Sequence, residues 1–126
     1  MMTRERFGEI LDELACELPE AFYEKLERGI CVLSRVKFHA AAPGLCVMGE
    51  YERDPVMGRQ IVIYYGSFLR VLGNAPGDEW RTEMRRVLRH EFRHHMEGLA
   101  GQRDLEIEDE RQISEYVRNV RGEDAP

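Results

Sequence analysis

Between residues 3 and 18 apolar side chains recur at helical spacing. Phe7, Ile10, Leu11, Leu14 and Leu18 fall on one face of a helix. Thr3 precedes this stretch as an N-cap and Pro19 ends it. A second, shorter helix is predicted over EAFYEKLERG, stopping at Gly29. The pattern then changes. ICVLSRVKF is short, apolar and β-branched, and reads as a strand; AAAPG is a loop. LCVMGEYER is a weaker strand in which Gly49 allows a bend, DPVMGR is a turn, and QIVIYYG is the strongest strand signal in the chain. SFLRVLG has room for a single helical turn before the loop NAPGD. From Asp78 a long helix is predicted over DEWRTEMRRVLRHEFRHHMEG, with Gly98 and Gly101 as places to stop. A last helix over DERQISEYVRNV turns Ile113, Tyr116, Val117 and Val120 inward, and the tail RGEDAP frays. The order sets helices apart from a small sheet, which is an α+β arrangement of a small mixed sheet packed against a long helix. Neither a repeat nor a linker is visible, so residues 1–126 are expected to form a single domain.

Composition narrows the function classes. A chain of 126 residues with 43% hydrophobic positions can bury a core without disulfides. Its net charge of -6 argues against a dedicated nucleic-acid binder. The three cysteines, Cys16, Cys31 and Cys46, are odd in number and widely spaced, so neither a disulfide framework nor a zinc ribbon is indicated. Cys31 and Cys46 lie in apolar runs and are expected in the core. MMTRERFGEI lacks the apolar stretch of a signal peptide, and no apolar run approaches the ~18 residues of a membrane span. The expectation is a cytoplasmic protein with no membrane partner; the sequence does not speak to oligomeric state.

The long helix carries the chemistry. Drawn as a wheel, it has an apolar side with Trp80, Met84, Leu88 and Leu99. An arginine side carries Arg81, Arg85, Arg89 and Arg93, read first as a solvated face. His90 and His94 lie together on the border between the two, where a cleft would be. HEFRHH at 90–95 contains the pattern His-Glu-x-x-His. Histidines at i and i+4 project from the same side of consecutive turns and can reach one zinc ion at ~2.0–2.1 Å. Glu91 points near the ion without binding it. It can take a proton from a coordinated water, whose pKa zinc lowers to ~7, and return it to a leaving nitrogen. The pattern therefore points to amide hydrolysis, with a peptide or protein as substrate. His95 lies toward the core. It is expected to support the ligands from behind or to be a satisfied core histidine. Zinc catalysis needs a third protein ligand, and the carboxylates after Gly101 supply candidates: Asp104, which needs the shortest loop, Glu108 and Asp109.

These residues resemble the minimal zincin-like metallopeptidases of bacteria, whose motif reads roughly HExxHHFGIDDE. HEFRHH matches its first half, including the doubled histidine. LPEAFYEKLERGICVLSRV and LCVMGEYERDPVMGRQIVIYYGSFLR are similar to its opening and middle, so the resemblance runs over residues ~5 to 115. It implies a zincin-like α+β fold, one zinc ion and a peptidase-type activity. The chain departs from the pattern after His95: Glu97 stands where the family has glycine, and LAGQRDLE intervenes before IEDE at 107–110. Aligning IEDE with the family's IDDE makes Asp109 the third zinc ligand, with Asp104 and Glu108 as alternatives. A catalytically weak or inactive zincin-shaped binding or regulatory protein is the other reading, supported by the lengthened segment.

Overall fold

The computed structural model of the chain describes the backbone of residues 1–120 and the side chains of residues 1–102. Contacts divide it into two compact units, Met1–His95 and the residues from Met96 on.

The first unit opens with α1 (Arg4–Ala15). The Thr3 hydroxyl accepts the Arg6 backbone N–H at 3.1 Å, satisfying one of the donors a helix start leaves unpaired. Phe7, Ile10, Leu11 and Leu14 are buried, as their spacing predicts. The expected second helix shrinks to a 3-10 turn, Glu20–Tyr23. The chain stops being helical there because Lys25 takes a left-handed backbone (φ 60) and Gly29 follows with φ 64. Three strands come next: β1 (Ile30–Leu33), β2 (Gly49–Asp54) and β3 (Gly58–Tyr64), in the order β1-β3-β2. β3 is central, parallel to β1 and antiparallel to β2. Covered on both faces, its residues Ile61, Val62, Ile63 and Tyr64 are all buried, which explains the unbroken apolar run that marks it in the sequence. Between β1 and β2 the chain doubles back, with Phe38 bridged to Cys46.

α2 (Tyr65–Leu72) follows β3 directly and is longer than the single turn expected. Gly66 explains how tightly it seats. A Cβ built there would lie 2.5 Å from the Arg35 carbonyl carbon and the Ser34 oxygen, and 2.6 Å from the Val36 nitrogen. Ser67 then accepts the Lys37 N–H at 3.0 Å. The start of α2 is thus pressed onto segment 34–37.

α3 (Gly77–Val120) begins where the long helix is predicted. Within the first unit its Trp80, Met84, Val87, Leu88 and Phe92 complete a core with α1, Ile61 and Ile63 of β3, and Phe68 of α2. The arginine side is more than a solvated face. Arg81 donates to Glu13 at 2.7 Å, and Arg85 to Glu17 at 2.9 and 3.0 Å, so the stripe pins α1 and the residues just after it to α3. The expected stop at Gly98 or Gly101 is not taken, and the backbone is helical through both to Val120. An interior glycine costs a helix only ~1 kcal/mol relative to alanine, and Leu99, Ala100, Gln102 and Arg103 are good helix formers.

Candidate metal centre and active site

His90 and His94 stand on consecutive turns at the exposed border of α3, with Nε2 atoms 3.1 Å apart. Two nitrogens ~2.0–2.1 Å from one tetrahedral ion lie ~3.3 Å apart, so the pair fits two corners of a zinc site. The Arg93 guanidinium lies 3.3 Å from His90 Nδ1. A guanidinium can only donate, so Nδ1 accepts and the ring proton sits on Nε2, facing His94. Holding a cation through both Nε2 atoms requires that proton to move to Nδ1 and Arg93 to turn away. Among the described residues no third His, Cys, Asp or Glu joins the pair in a group able to hold a metal ion. The side chains of Asp104, Glu108 and Asp109 lie outside the described residues.

Glu91 lies between the two histidines in sequence, yet is only 6% exposed. Burial raises its carboxyl above the ordinary carboxylate range; His94 opposes the shift and the charge of Glu50 adds to it. A carboxylate made more basic is suited to accepting a proton near neutral pH.

His95 is fully buried, and both its nitrogens have partners. Nε2 lies 2.8 Å from the Glu24 carbonyl oxygen, which can only accept, so Nε2 carries the proton. Nδ1, 2.8 Å from the Tyr51 hydroxyl, therefore accepts from it. The ring ties α3 to β2 and to the turn after the 3-10 helix.

Sequence reading missed what faces the helix. A cavity of about 240 Å³ has His90, Glu91, Val87 and Arg86 as its helix wall, and it is lined as well by Gly49, Met48, Cys46 and His39. Cys46 is half-buried and lines this cavity rather than packing in the core. Gly49 lets β2 approach the helix, since a Cβ there would lie 2.9 Å from Val87 Cγ1. Beside it, Glu50 accepts the Tyr64 hydroxyl at 2.9 Å and pairs with Lys37. Burial pushes the Glu50 carboxyl up, but hydrogen bonds from Lys37 and Tyr64 outweigh it and hold the carboxyl below its usual range. Glu50, set directly after the apolar run LCVMG, is the signal that could have marked this strand as part of a site.

A small three-stranded sheet against a helix bearing His90, Glu91 and His94 defines an α+β protein of zincin type. Residues 44–113 match the profile of the zincin-like metallopeptidase family. A solved structure with the same fold is a conserved hypothetical protein from T. thermophilus. It is 36% identical with a TM-score of 0.68, and the match covers 79% of this chain and 99% of that one. No curated protein gives a significant match. The chain belongs to the zincin-like metallopeptidase family.

Proposed function

We propose that the protein is a zinc-dependent metallopeptidase that hydrolyses peptide bonds in a peptide or protein substrate. The observation that carries this reading is the pairing of two imidazole Nε2 atoms 3.1 Å apart with the buried carboxyl of Glu91 beside them. His90 and His94 would hold zinc. Asp109 would be the third ligand by its place in IEDE, with Asp104 and Glu108 as alternatives; for any of them to reach the two histidines, α3 must open at Gly98 or Gly101 when metal binds. When bound, zinc supplies a Lewis acid that polarises the peptide carbonyl and acidifies water. Glu91 accepts one proton from water as the water oxygen adds to the carbonyl carbon. It then gives that proton to the nitrogen as the C–N bond breaks, so one water is consumed and a carboxylic acid and an amine leave. The setting we infer is the cytoplasm; among the described residues no helix is long and apolar enough to cross a membrane.

A second reading is a zincin-shaped binding or regulatory protein that holds metal weakly. The finding of only two candidate ligands side by side among the described residues favours it. Elemental analysis of protein purified without added metal decides between them. Close to one zinc per chain is expected, together with cleavage of a mixed peptide library. Glu91→Gln should keep the zinc and lose the cleavage. A zinc content near zero that added zinc does not restore would sink the enzyme reading.

A further inference from the structure

Of the four histidines, three belong to the motif at 90–95. The fourth, His39, is far away in sequence but lines the same cavity as His90 and Glu91. Its backbone is firmly held. The His39 N–H donates to the Leu45 carbonyl at 2.8 Å, and the Val47 N–H to the Lys37 carbonyl at 2.8 Å. Lys37 is in turn anchored by Ser67. The ring is pinned as well: Nδ1 lies 3.1 Å from the Ala41 backbone N–H and accepts from it. A neutral imidazole that accepts at Nδ1 carries its proton on Nε2. His39 is therefore a donor at Nε2. It is not poised as a metal ligand, in keeping with its absence from any metal-holding group among the described residues.

We propose that His39 donates a hydrogen bond from Nε2 to the carbonyl oxygen of a peptide unit bound in the cavity whose helix wall carries His90 and Glu91. This rests on the metallopeptidase reading. Negative charge develops on that oxygen as water adds to the carbonyl carbon, and a donor fixed beforehand stabilises it without reorganising. Met48 and Val87 line the same cavity and give the bound peptide apolar surface to lie against.

The test uses full-length, zinc-loaded protein and His39→Ala, with His39→Gln as a variant that keeps a donor near the Nε2 position. His39→Ala should lower kcat by the ~10²–10³-fold typical of a lost oxyanion donor, with KM little changed and zinc content intact. It should weaken calorimetric binding of a phosphinic dipeptide bearing phenylalanyl and leucyl side chains to a similar extent. His39→Gln should recover part of both. In metal-free protein, imidazole ¹⁵N–¹H correlations should place the His39 proton on Nε2. A proton on Nδ1, or phosphinate binding and turnover in His39→Ala equal to wild type, overturns the proposal and leaves the metallopeptidase reading standing. A wild-type protein that neither holds zinc nor binds the phosphinate overturns both.

Discussion

Glu91 shows what a buried carboxyl costs a small fold. Its burial raises the carboxyl above the ordinary value of 4.5, so the folded, metal-free protein favours the protonated form more than the unfolded chain does. The sign follows: stability is lost as pH rises from about the ordinary carboxylate range through the raised folded value. Glu91→Gln removes that loss. The metal-free variant should melt higher than metal-free wild type at pH 7, and the two should converge near pH 4, as thermal melts in chelator would show. A lower melting temperature at pH 7 would mean that the ionised carboxylate has a stabilising partner. Arg93 imposes a second cost at the same place. Its contact with His90 Nδ1 keeps the ring in the tautomer that faces His94 with a proton rather than a lone pair. Arg93→Met removes the competing donor and a positive charge near the ion. It should tighten zinc binding several-fold in competition with a chromogenic chelator; unchanged or weaker binding would show that Arg93 does not oppose the metal.

At the scale of elements, the site is a helix set against a strand and a loop, and the parts differ in how far the sequence reveals them. The motif at 90–94 is legible because its geometry is local: a helical period alone brings i and i+4 to one side. α1 and β3 are legible for the same reason, one through its apolar stripe and the other through an unbroken apolar run. His39 is not, because nothing near AAAPG signals that the loop folds back toward a helix fifty residues on. The role of Gly66 is equally silent, since the atoms it must avoid belong to residues 34–36. That silence makes Gly66 a sharp test of how the His39 loop is held. Gly66→Ala places a methyl within 2.6 Å of three backbone atoms, and backbone cannot swing aside as a side chain can. The substitution should cost ~1–3 kcal/mol or more in urea unfolding, in the range of overpacked cores. Ser67→Ala should cost less, ~1 kcal/mol, by losing its two hydrogen bonds with the Lys37 backbone, of which that to the carbonyl is long at 3.4 Å. A neutral Gly66→Ala would show that segment 34–37 is free to move off α2.

For the molecule as a whole, the open chemical question is the third ligand, and linkage between metal binding and folding can answer it. Any ligand that binds only the folded chain stabilises it by RT ln(1 + [L]/Kd), which is ~4 kcal/mol at a thousandfold excess over Kd. For a chain of 126 residues each kcal/mol moves Tm by a few degrees, so zinc should raise the wild-type melting temperature by ~10 °C or more. His90→Ala and His94→Ala should abolish that rise. From the resemblance of IEDE to the family motif, Asp109 is expected to be the third ligand. Asp109→Ala should then lower zinc affinity at least ~10–100-fold, which is the loss seen even when only a supporting contact goes. At fixed zinc this removes ~1.4–2.7 kcal/mol of the stabilisation, a fall of several degrees. Asp104→Ala and Glu108→Ala should leave the zinc-induced rise near that of wild type. The comparison is internal, because each variant is measured with zinc and with chelator, so a general loss of stability cancels and only the linkage to metal remains. Should Asp104→Ala or Glu108→Ala lose the zinc response instead, the alignment of IEDE is wrong and the ligand is that residue. Should all three keep it, the third position is filled by none of them, and the two histidines bind zinc without a carboxylate from this segment.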